Sequence, residues 1–350
     1  MKKKNLLTLV TGFLVLMLIL SFSTAYASSS SDRKGWPKYM SITAPSVGGT
    51  PFIFDQGLAI MIKKHLNIDG GAVSLGLSEA ALRAIAKGEA ELGYIGIPEC
   101  YQAVRGAGKF KDKKIQARQL FACWPLFYPI FALKASGITK FEDLRGKKVM
   151  WNSPTSAVIR ETARTLFECY GFDPEKDTVA LPVGSQKEAA DGLRSRTADV
   201  FIFIGSANSP TPVWAELAET VDIVPIPLDR EKIACVMKKK TYIFQGRMKG
   251  GLYKGMPNEV PALGLAQPII AMKRLPEDLV YEIMKLVFDP ANRAEFEAIH
   301  PVAKFITEES AMAYTNVPFH AGAVKYYKER GWWKIEDVHK KLLKEIGQDK

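Results

Sequence analysis

The sequence predicts an α/β protein of two facing lobes, a clamshell with parallel-rich sheets, helices on both faces and two hinge strands. Three observations predict it. Strand-like and helix-like segments alternate through most of the 350 residues, and alternation at this spacing builds parallel sheets. One strand–helix unit is written twice. Ser78-Glu79-Ala80-Ala81-Leu82-Arg83, with Lys87-Gly88-Glu89-Ala90-Glu91-Leu92, is answered by Ser185-Gln186-Lys187-Glu188-Ala189-Ala190 and Arg196-Thr197-Ala198-Asp199-Val200. Finally, two apolar extended runs, Phe127 to Ala135 and Leu265 to Lys273, are alike and read as paired strands crossing between the lobes. Lobe 1 is then 36–130 plus 274–350, and lobe 2 is 131–273.

Residues 1–27 read as a cleaved signal peptide. Lys2, Lys3 and Lys4 precede the uncharged run Leu6 to Leu20, and Ala25-Tyr26-Ala27 supplies the small-x-small cleavage pattern. The run is short for a membrane span, which needs about 20 residues, so the mature chain reads as exported, soluble and periplasmic. Order is expected from Trp36. Tyr39 to Ala44 is a strand and 53–66 a helix whose apolar face is Phe54, Leu58, Met61, Ile62 and Leu66. Ala72 to Leu77 is extended, Ser78 caps a helix that Gly88 ends, and Glu91 to Ile97 is a strand.

The second half repeats the plan. Thr139-Lys140-Phe141-Glu142 reads as a capping box, Lys148 to Asn152 as a strand, and Ser153-Pro154-Thr155-Ser156 as a loop before a helix from Ala157 to Tyr170. Thr178 to Pro182 is a strand, Ser185 to Glu188 a second capping box, and Ala198 to Ile204 a buried strand. Pro276-Glu277-Asp278 starts a helix to Phe288. Helices from Glu308 onward are expected on lobe 1, the last with Ile335, Val338, Leu342 and Ile346 on one face.

Composition excludes as much as it includes. Net charge falls from +11 to +8 once the three signal lysines are removed. Lys and Arg are scattered, and Lys238-Lys239-Lys240 lacks any nucleic-acid motif, so the charge reads as solubility and attraction for an anionic ligand. Four cysteines permit a disulfide. Cys100 with Cys123 is the first pairing to expect, with buried free thiols as the alternative. His65, His300, His320 and His339 show no metal spacing, and no nucleophile elbow, Cys/His signature or phosphate loop is present. The expectation is no catalytic residues, no metal and no cofactor.

The candidate site lies in loops between strands and helices. Ser46-Val47-Gly48-Gly49-Thr50 would point backbone N–H groups and a helix N-terminus at one spot, a setting suited to a carboxylate or phosphate. An ordinary tight turn is the alternative. Ser153, Thr155 and Ser156 repeat that chemistry on the second lobe, where a helix cap would look the same. Ligands of open α/β sheets bind beyond the carboxyl ends of strands, so the two loops would form opposite walls of one cleft. Trp124, Phe127 and Tyr128 could wall it or pack in the core. Gly205-Ser206-Ala207-Asn208 is placed to touch ligand or to be an exposed loop, and Arg160 to bind a second carboxylate or form a surface ion pair.

Several of these stretches resemble the TAXI family of TRAP-transporter solute receptors. They are Ser46 to Thr50, Gly88 to Gly93, Asp143-Leu144-Arg145-Gly146-Lys147-Lys148-Val149, Leu279-Val280-Tyr281-Glu282, and Pro318-Phe319-His320-Ala321-Gly322-Ala323 with Tyr326-Tyr327-Lys328 and Gly331. They run in family order from about residue 41 to 331. The resemblance implies a type II periplasmic-binding-protein fold, monomeric, that captures a small organic acid, glutamate-like or another carboxylate or dicarboxylate. It would hand the solute to the membrane subunits of a sodium-coupled TRAP permease. A sensory binding protein serving a chemoreceptor or kinase is the alternative, and an enzyme on the same fold a remoter one. The ligand-binding set is Ser46, Val47, Gly48, Gly49, Thr50, Phe52, Ser78, Trp124, Tyr128, Ser153, Thr155, Ser156, Ala157, Gly205 and Ser206. The chain departs from the family at Pro51-Phe52-Ile53-Phe54, at Ser153-Pro154-Thr155-Ser156-Ala157-Val158, where Pro-Gly-Ser-Gly-Thr is common, and at His320-Ala321-Gly322-Ala323. The first two departures line the cleft, so the solute does not carry over.

Overall fold

The computed structural model describes residues 33–348 except Ser46, Leu77, Asp112, Thr155, Ala207, Asn208, Ala313 and Tyr314. The expected signal peptide therefore lies outside the described residues, as do the expected ligand contacts Ser46 and Thr155.

Strand β1 (Tyr39–Ala44) matches its expected bounds. Helix α1 (Thr50–Leu66) starts three residues early, because Gly49 adopts the extended cap conformation and Pro51 has no N–H to leave unsatisfied in the first turn. Its expected apolar face is buried throughout. Strand β2 (Asp69–Ser74) also comes early. Gly70 makes that possible: a Cβ there would lie 2.1 Å from the Met40 carbonyl oxygen of the neighbouring strand. After α2 (Ser78–Lys87), β3 (Leu92–Tyr94) is shorter than expected. The chain turns at Gly96 into α3 (Ile97–Arg105), a helix not anticipated from the sequence.

Strands β4 (Ala117–Tyr128) and β5 (Ile130–Leu133) are separated by Pro129. The box at 139–143 uses Asp143 rather than Glu142, its carboxylate accepting the Thr139 and Lys140 amides. β6 (Lys148–Asn152), α4 (Ala157–Cys169), α5 (Pro174–Asp177), β7 (Val179–Pro182), α6 (Gln186–Arg194) and β8 (Val200–Ile202) follow the expected order. Then come β9 (Gly205–Ser206), α7 (Pro212–Thr220), β10 (Ile223–Pro225), α8 (Arg230–Lys239), β11 (Phe244–Met248) and β12 (Val260–Met272). The chain ends in α9 (Glu277–Phe288), α10 (Arg293–Ile299), α11 (Glu308–Ala311), α12 (Ala321–Glu329) and α13 (Glu336–Glu345).

Two mixed sheets result, an α/β fold as expected. The first runs β2-β1-β3-β12-β4-β9, with β11 on β12, and the second β7-β6-β8-β5-β10. Matched strand for strand, β2-β1-β3-β12-β4 and β7-β6-β8-β5-β10 have the same order and the same directions: three parallel strands, then two antiparallel pairings. The repeat seen in the letters is thus a repeat of topology.

Three expectations are corrected. The crossing strands do not pair with each other as 127–135 against 265–273. β12 pairs with the stretch upstream, Leu263 with Tyr128 and Met272 with Ala117, because an antiparallel ladder runs backward along β4 while the chain beyond Pro129 enters the other sheet. The disulfide joins Cys169 to Cys235, whereas Cys100 and Cys123 are free and buried. Cys169 ends α4, which packs on β6 of the second sheet, and Cys235 sits within α8, which packs on α4 and on β11 of the first. In α13, Leu342 and Ile346 are buried but Val338 is 46% exposed, so the packed face is narrower than expected.

The C-terminal helices pack on the first sheet, as expected. Tyr327 donates its hydroxyl to the Leu120 carbonyl at 2.9 Å, and Phe319 bridges to Gln119. The second sheet is centred on Trp214, fully buried against Phe131, Phe201 and Tyr253, its indole N–H donating to the Gln186 carbonyl at 3.0 Å.

Candidate functional site

Strand directions place the candidate loops. β1 and β3 end at Ala44 and Tyr94, and β6 and β8 end at Asn152 and Ile202. β4, antiparallel to β12 as β3 is, leads past Tyr128 and Pro129 into β5, whose first residue, Ile130, lies opposite Ile202. The carboxyl edges of the two sheets therefore converge on the crossing at Pro129. The loops after β1 and β6 hold corresponding positions there.

On the first edge, Val47 is 74% exposed and Gly48 turns at φ +76 with open space around it, a conformation that disfavours any side chain. Gly49 caps α1 without a side-chain hydrogen bond, Thr50 is its first residue, and Phe52 is half-buried. On the second edge, Ser153 is fully buried and its Oγ accepts the Ser156 amide at 3.2 Å, while Ser156 Oγ caps α4 by accepting the Ile159 amide. Ala157, exposed, opens that helix. Neither α1 nor α4 carries an acidic residue in its first turn, so both present an unneutralised positive end. Arg160, one turn into α4, donates to the Ser153 carbonyl at 2.8 Å and lies 3.7 Å from Glu161.

The other expected residues divide. Ser78 is the first residue of α2 rather than the one before it, and its Oγ accepts the Gly96 amide at 2.9 Å, tying α2 to the start of α3. Trp124 is buried between Tyr94, stacked at 5.3 Å, and the edge of Phe54, which is core packing. Tyr128, also buried, points its hydroxyl at the Val158 carbonyl (3.4 Å) and Thr162 Oγ1 (3.3 Å), linking β4 to α4. Gly205 pairs with Phe127 on β4, and a Cβ there would strike the Trp214 ring at 2.4 Å, so its role is close packing. Ser206 is half-buried with its hydroxyl 2.9 Å from that of Ser209.

Two acids on this edge were not singled out from the sequence. Asp55, on the buried face of α1, has both carboxylate oxygens shut from solvent with no hydrogen-bond partner among the described residues, and burial pushes its pKa well up. Burial raises the phenol of Tyr94 and the thiol of Cys123, and Asp55 adds to both shifts in the same direction. Glu99, in the first turn of α3, has its Oε2 in the same condition and is raised by burial. Glu99 adds to the upward shift of Tyr128 and of Tyr242, the latter pushed up to about 12, chiefly by burial. Asp55 fell within a stretch read only for its apolar spacing. Glu99 lay just past the run read as a strand to Ile97, although Ile97-Pro98 marks a helix start.

Asp55 carries a stability prediction. A raised folded-state carboxyl pKa means stability falls as pH rises from about 4, the unfolded value, toward the folded one. Asp55→Asn, which has no charge to bury, is expected to be more stable than the wild type at pH 7 by about 1 kcal/mol or more, the gain shrinking toward pH 4. Urea melts at the two pH values check it. A variant equally destabilised at both would mean that Asp55 has an unrecognised partner.

A cavity of about 270 Å3 lies against β4, β11 and β12, lined by Cys123, Pro125, Phe127, Gln245, Ala266 and Ser310 among others. None of the expected loop residues lines it. Among the described residues no group of three or more His, Cys, Asp or Glu is placed to hold a metal, and no helix is long and apolar enough to cross a membrane.

A sequence model of the NMT1-like family matches residues 42–331. Among solved structures of similar shape is the periplasmic aliphatic sulphonate binding protein SsuA from Escherichia coli, at 13% identity over 84% of this chain and 83% of that one, TM-score 0.43. A TRAP periplasmic solute binding protein from Rhodobacter sphaeroides is 13% identical over 89% and 99%, TM-score 0.43. The GluR0 ligand-binding core from Nostoc punctiforme, solved with L-glutamate, is 15% identical over 75% and 97%, TM-score 0.40.

Proposed function

The chain belongs to the NMT1-like family, and from that premise we propose that it is a periplasmic solute receptor, a binding protein rather than an enzyme. It captures a small organic acid between two lobes, one built on each sheet, and delivers it to the membrane subunits of a TRAP-type sodium-coupled permease. The TAXI subfamily is the closer affiliation that the motifs favour. One observation carries the reading: two sheets of identical strand order turn their carboxyl edges to one crossing, and each edge presents a hydroxyl-bearing loop before a helix with no acid in its first turn. The ligand's carboxylate would meet the 46–50 loop and, across the cleft, Ser153, Ser156 and Arg160. Ligand contacts to both walls would favour closure about the crossing.

Mass spectrometry of small molecules released by denaturing the purified protein tests the reading, followed by thermal-shift titration of the acids found. An intact acid that raises the melting temperature supports the receptor; an acid converted to product would point to an enzyme instead. Replacing Ser46 and Thr50 together by Ala is expected to weaken binding at least tenfold, about 1.4 kcal/mol. Calorimetry showing unchanged affinity would remove that loop from the site.

A further inference from the structure

We propose that the lysine-rich face built by the 105–114 segment and the end of α13 docks on anionic lipid headgroups, holding the protein loosely against a bilayer. This goes beyond the solute reading and does not depend on which acid is captured.

Scattered along the chain, these charges are gathered by the fold. From 105 to 114 the sequence carries Arg105, Lys109, Lys111, Lys113 and Lys114 against Asp112 alone. The end of the chain is brought alongside: Phe110, Ile115 and Ile346 share one buried apolar cluster with Ala103 and Val104 of α3. Arg105 is ion-paired with Glu345 at 2.5 Å. Lys114 lies over Gly106, where a Cβ would be 2.8 Å from its Cγ. Lys344, next to Glu345, and Lys341, a turn earlier in α13, extend the same basic region.

The acids within reach are already committed. Glu79 holds Lys109 at 2.9 Å and Arg83 at 3.1 Å, and Glu336, at the start of α13, holds Lys328 and Lys340. Lys111, Lys113, Lys114, Lys341 and Lys344 are exposed, with no acid in ion-pair reach among the described residues. Lys63 with Asp69, Lys176 with Asp173 and Lys285 with Glu282 show the contrast elsewhere. Unmatched ammonium groups crowded on one face repel one another, and a negatively charged surface relieves that repulsion. Composition selects a bilayer over a protein. Protein interfaces are enriched in aromatic residues and Arg and depleted in Lys, whereas here Phe110 is buried and lysines are what the face exposes. Flexible ammonium groups suit mobile phosphate headgroups, each lysine contributing about fivefold in partitioning. The result is a reversible hold.

The test is co-sedimentation of the purified mature protein with two kinds of vesicle, phosphatidylcholine alone and phosphatidylcholine mixed with phosphatidylglycerol. The protein is expected to bind only the mixed vesicles and to be released at about 1 M salt, where screening acts within about 3 Å. Lys111→Gln, Lys113→Gln and Lys114→Gln combined should weaken partitioning at least tenfold. The same three positions changed to Arg should keep it, which separates lost charge from lost folding. Lys238→Gln, Lys239→Gln and Lys240→Gln combined remove equal charge elsewhere and should leave partitioning unchanged. Equal losses in the two Gln triples would assign the effect to net charge and overturn the proposal, as would no binding to the mixed vesicles or equal binding to both kinds. Retention on immobilised poly-L-glutamate without vesicle binding would overturn the lipid surface in favour of an acidic protein. None of these outcomes bears on the solute reading, which stands or falls on the acid released by denaturation.

Discussion

Replacing both Cys169 and Cys235 by Ser is expected to lower stability by about 4 kcal/mol, the loss of chain restriction for a 66-residue separation. For a domain of this size that is on the order of 10 °C in melting temperature. The effect should reach both sheets, because the bridge staples the end of α4, on β6, to α8, which packs on β11, and the 153–156 loop leads into the start of α4. Scanning calorimetry of the wild type with and without reductant, beside the double variant, checks it. Reductant should reproduce the variant's shift. None of that shift should come from Cys100 and Cys123, which are free thiols with no bond to reduce. Identical melting curves for all samples would exclude the bridge as a stabilising element.

Acid should weaken the protein through His320. This residue caps α12, its Nδ1 accepting the Gly322 amide at 3.2 Å. Burial holds its pKa down at about 4, with Arg118 acting in the same direction and the Leu275 and Lys273 backbone against it. An unfolded imidazole titrates near 6.5. Between the two values the unfolded chain binds more protons, so the contribution is whole above about pH 6.5 and is lost as pH falls to about 4, roughly 3 kcal/mol in all. His300 and His339 are lowered too and add to this slope; Asp55, raised, opposes it. The decisive comparison is therefore with His320→Asn, which can still cap and does not titrate there. Urea melts from pH 7.5 to 4 should show the wild type losing about 3 kcal/mol more than the variant. Parallel pH profiles would mean that the imidazole is not held neutral.

Local patterns carried most of the fold in the sequence. Tyr39 to Ala44, Lys148 to Asn152 and the apolar face of α1 could be read because alternation and helical spacing are properties of neighbouring residues. What depended on distant partners could not. The start of β2 is set by Gly70 against Met40, the pairing of β12 by the direction of β4, and the disulfide by the approach of two helices. The candidate site divides likewise. The Gly48-Gly49 and Ser153 to Ser156 loops announce themselves by composition, whereas Asp55 and Glu99 stand out only because buried carboxylate oxygens of theirs have no hydrogen-bond partner among the described residues, a fact of three-dimensional surroundings. Trp124 illustrates the converse: an aromatic at the expected place whose ring is spent on Tyr94 and Phe54.

The threading of β12 sets an order of assembly. The second sheet draws all five of its strands from one uninterrupted stretch, Ile130 to Pro225, and can form as that stretch emerges. The first sheet has β1, β3 and β4 early but receives the strand between β3 and β4 only from Val260–Met272. Until then, β3 and β4 have no common neighbour and their inner edges are open. The half that begins the chain is thus the half that finishes last, and its unpaired strands stay exposed to misassociation while the rest is made.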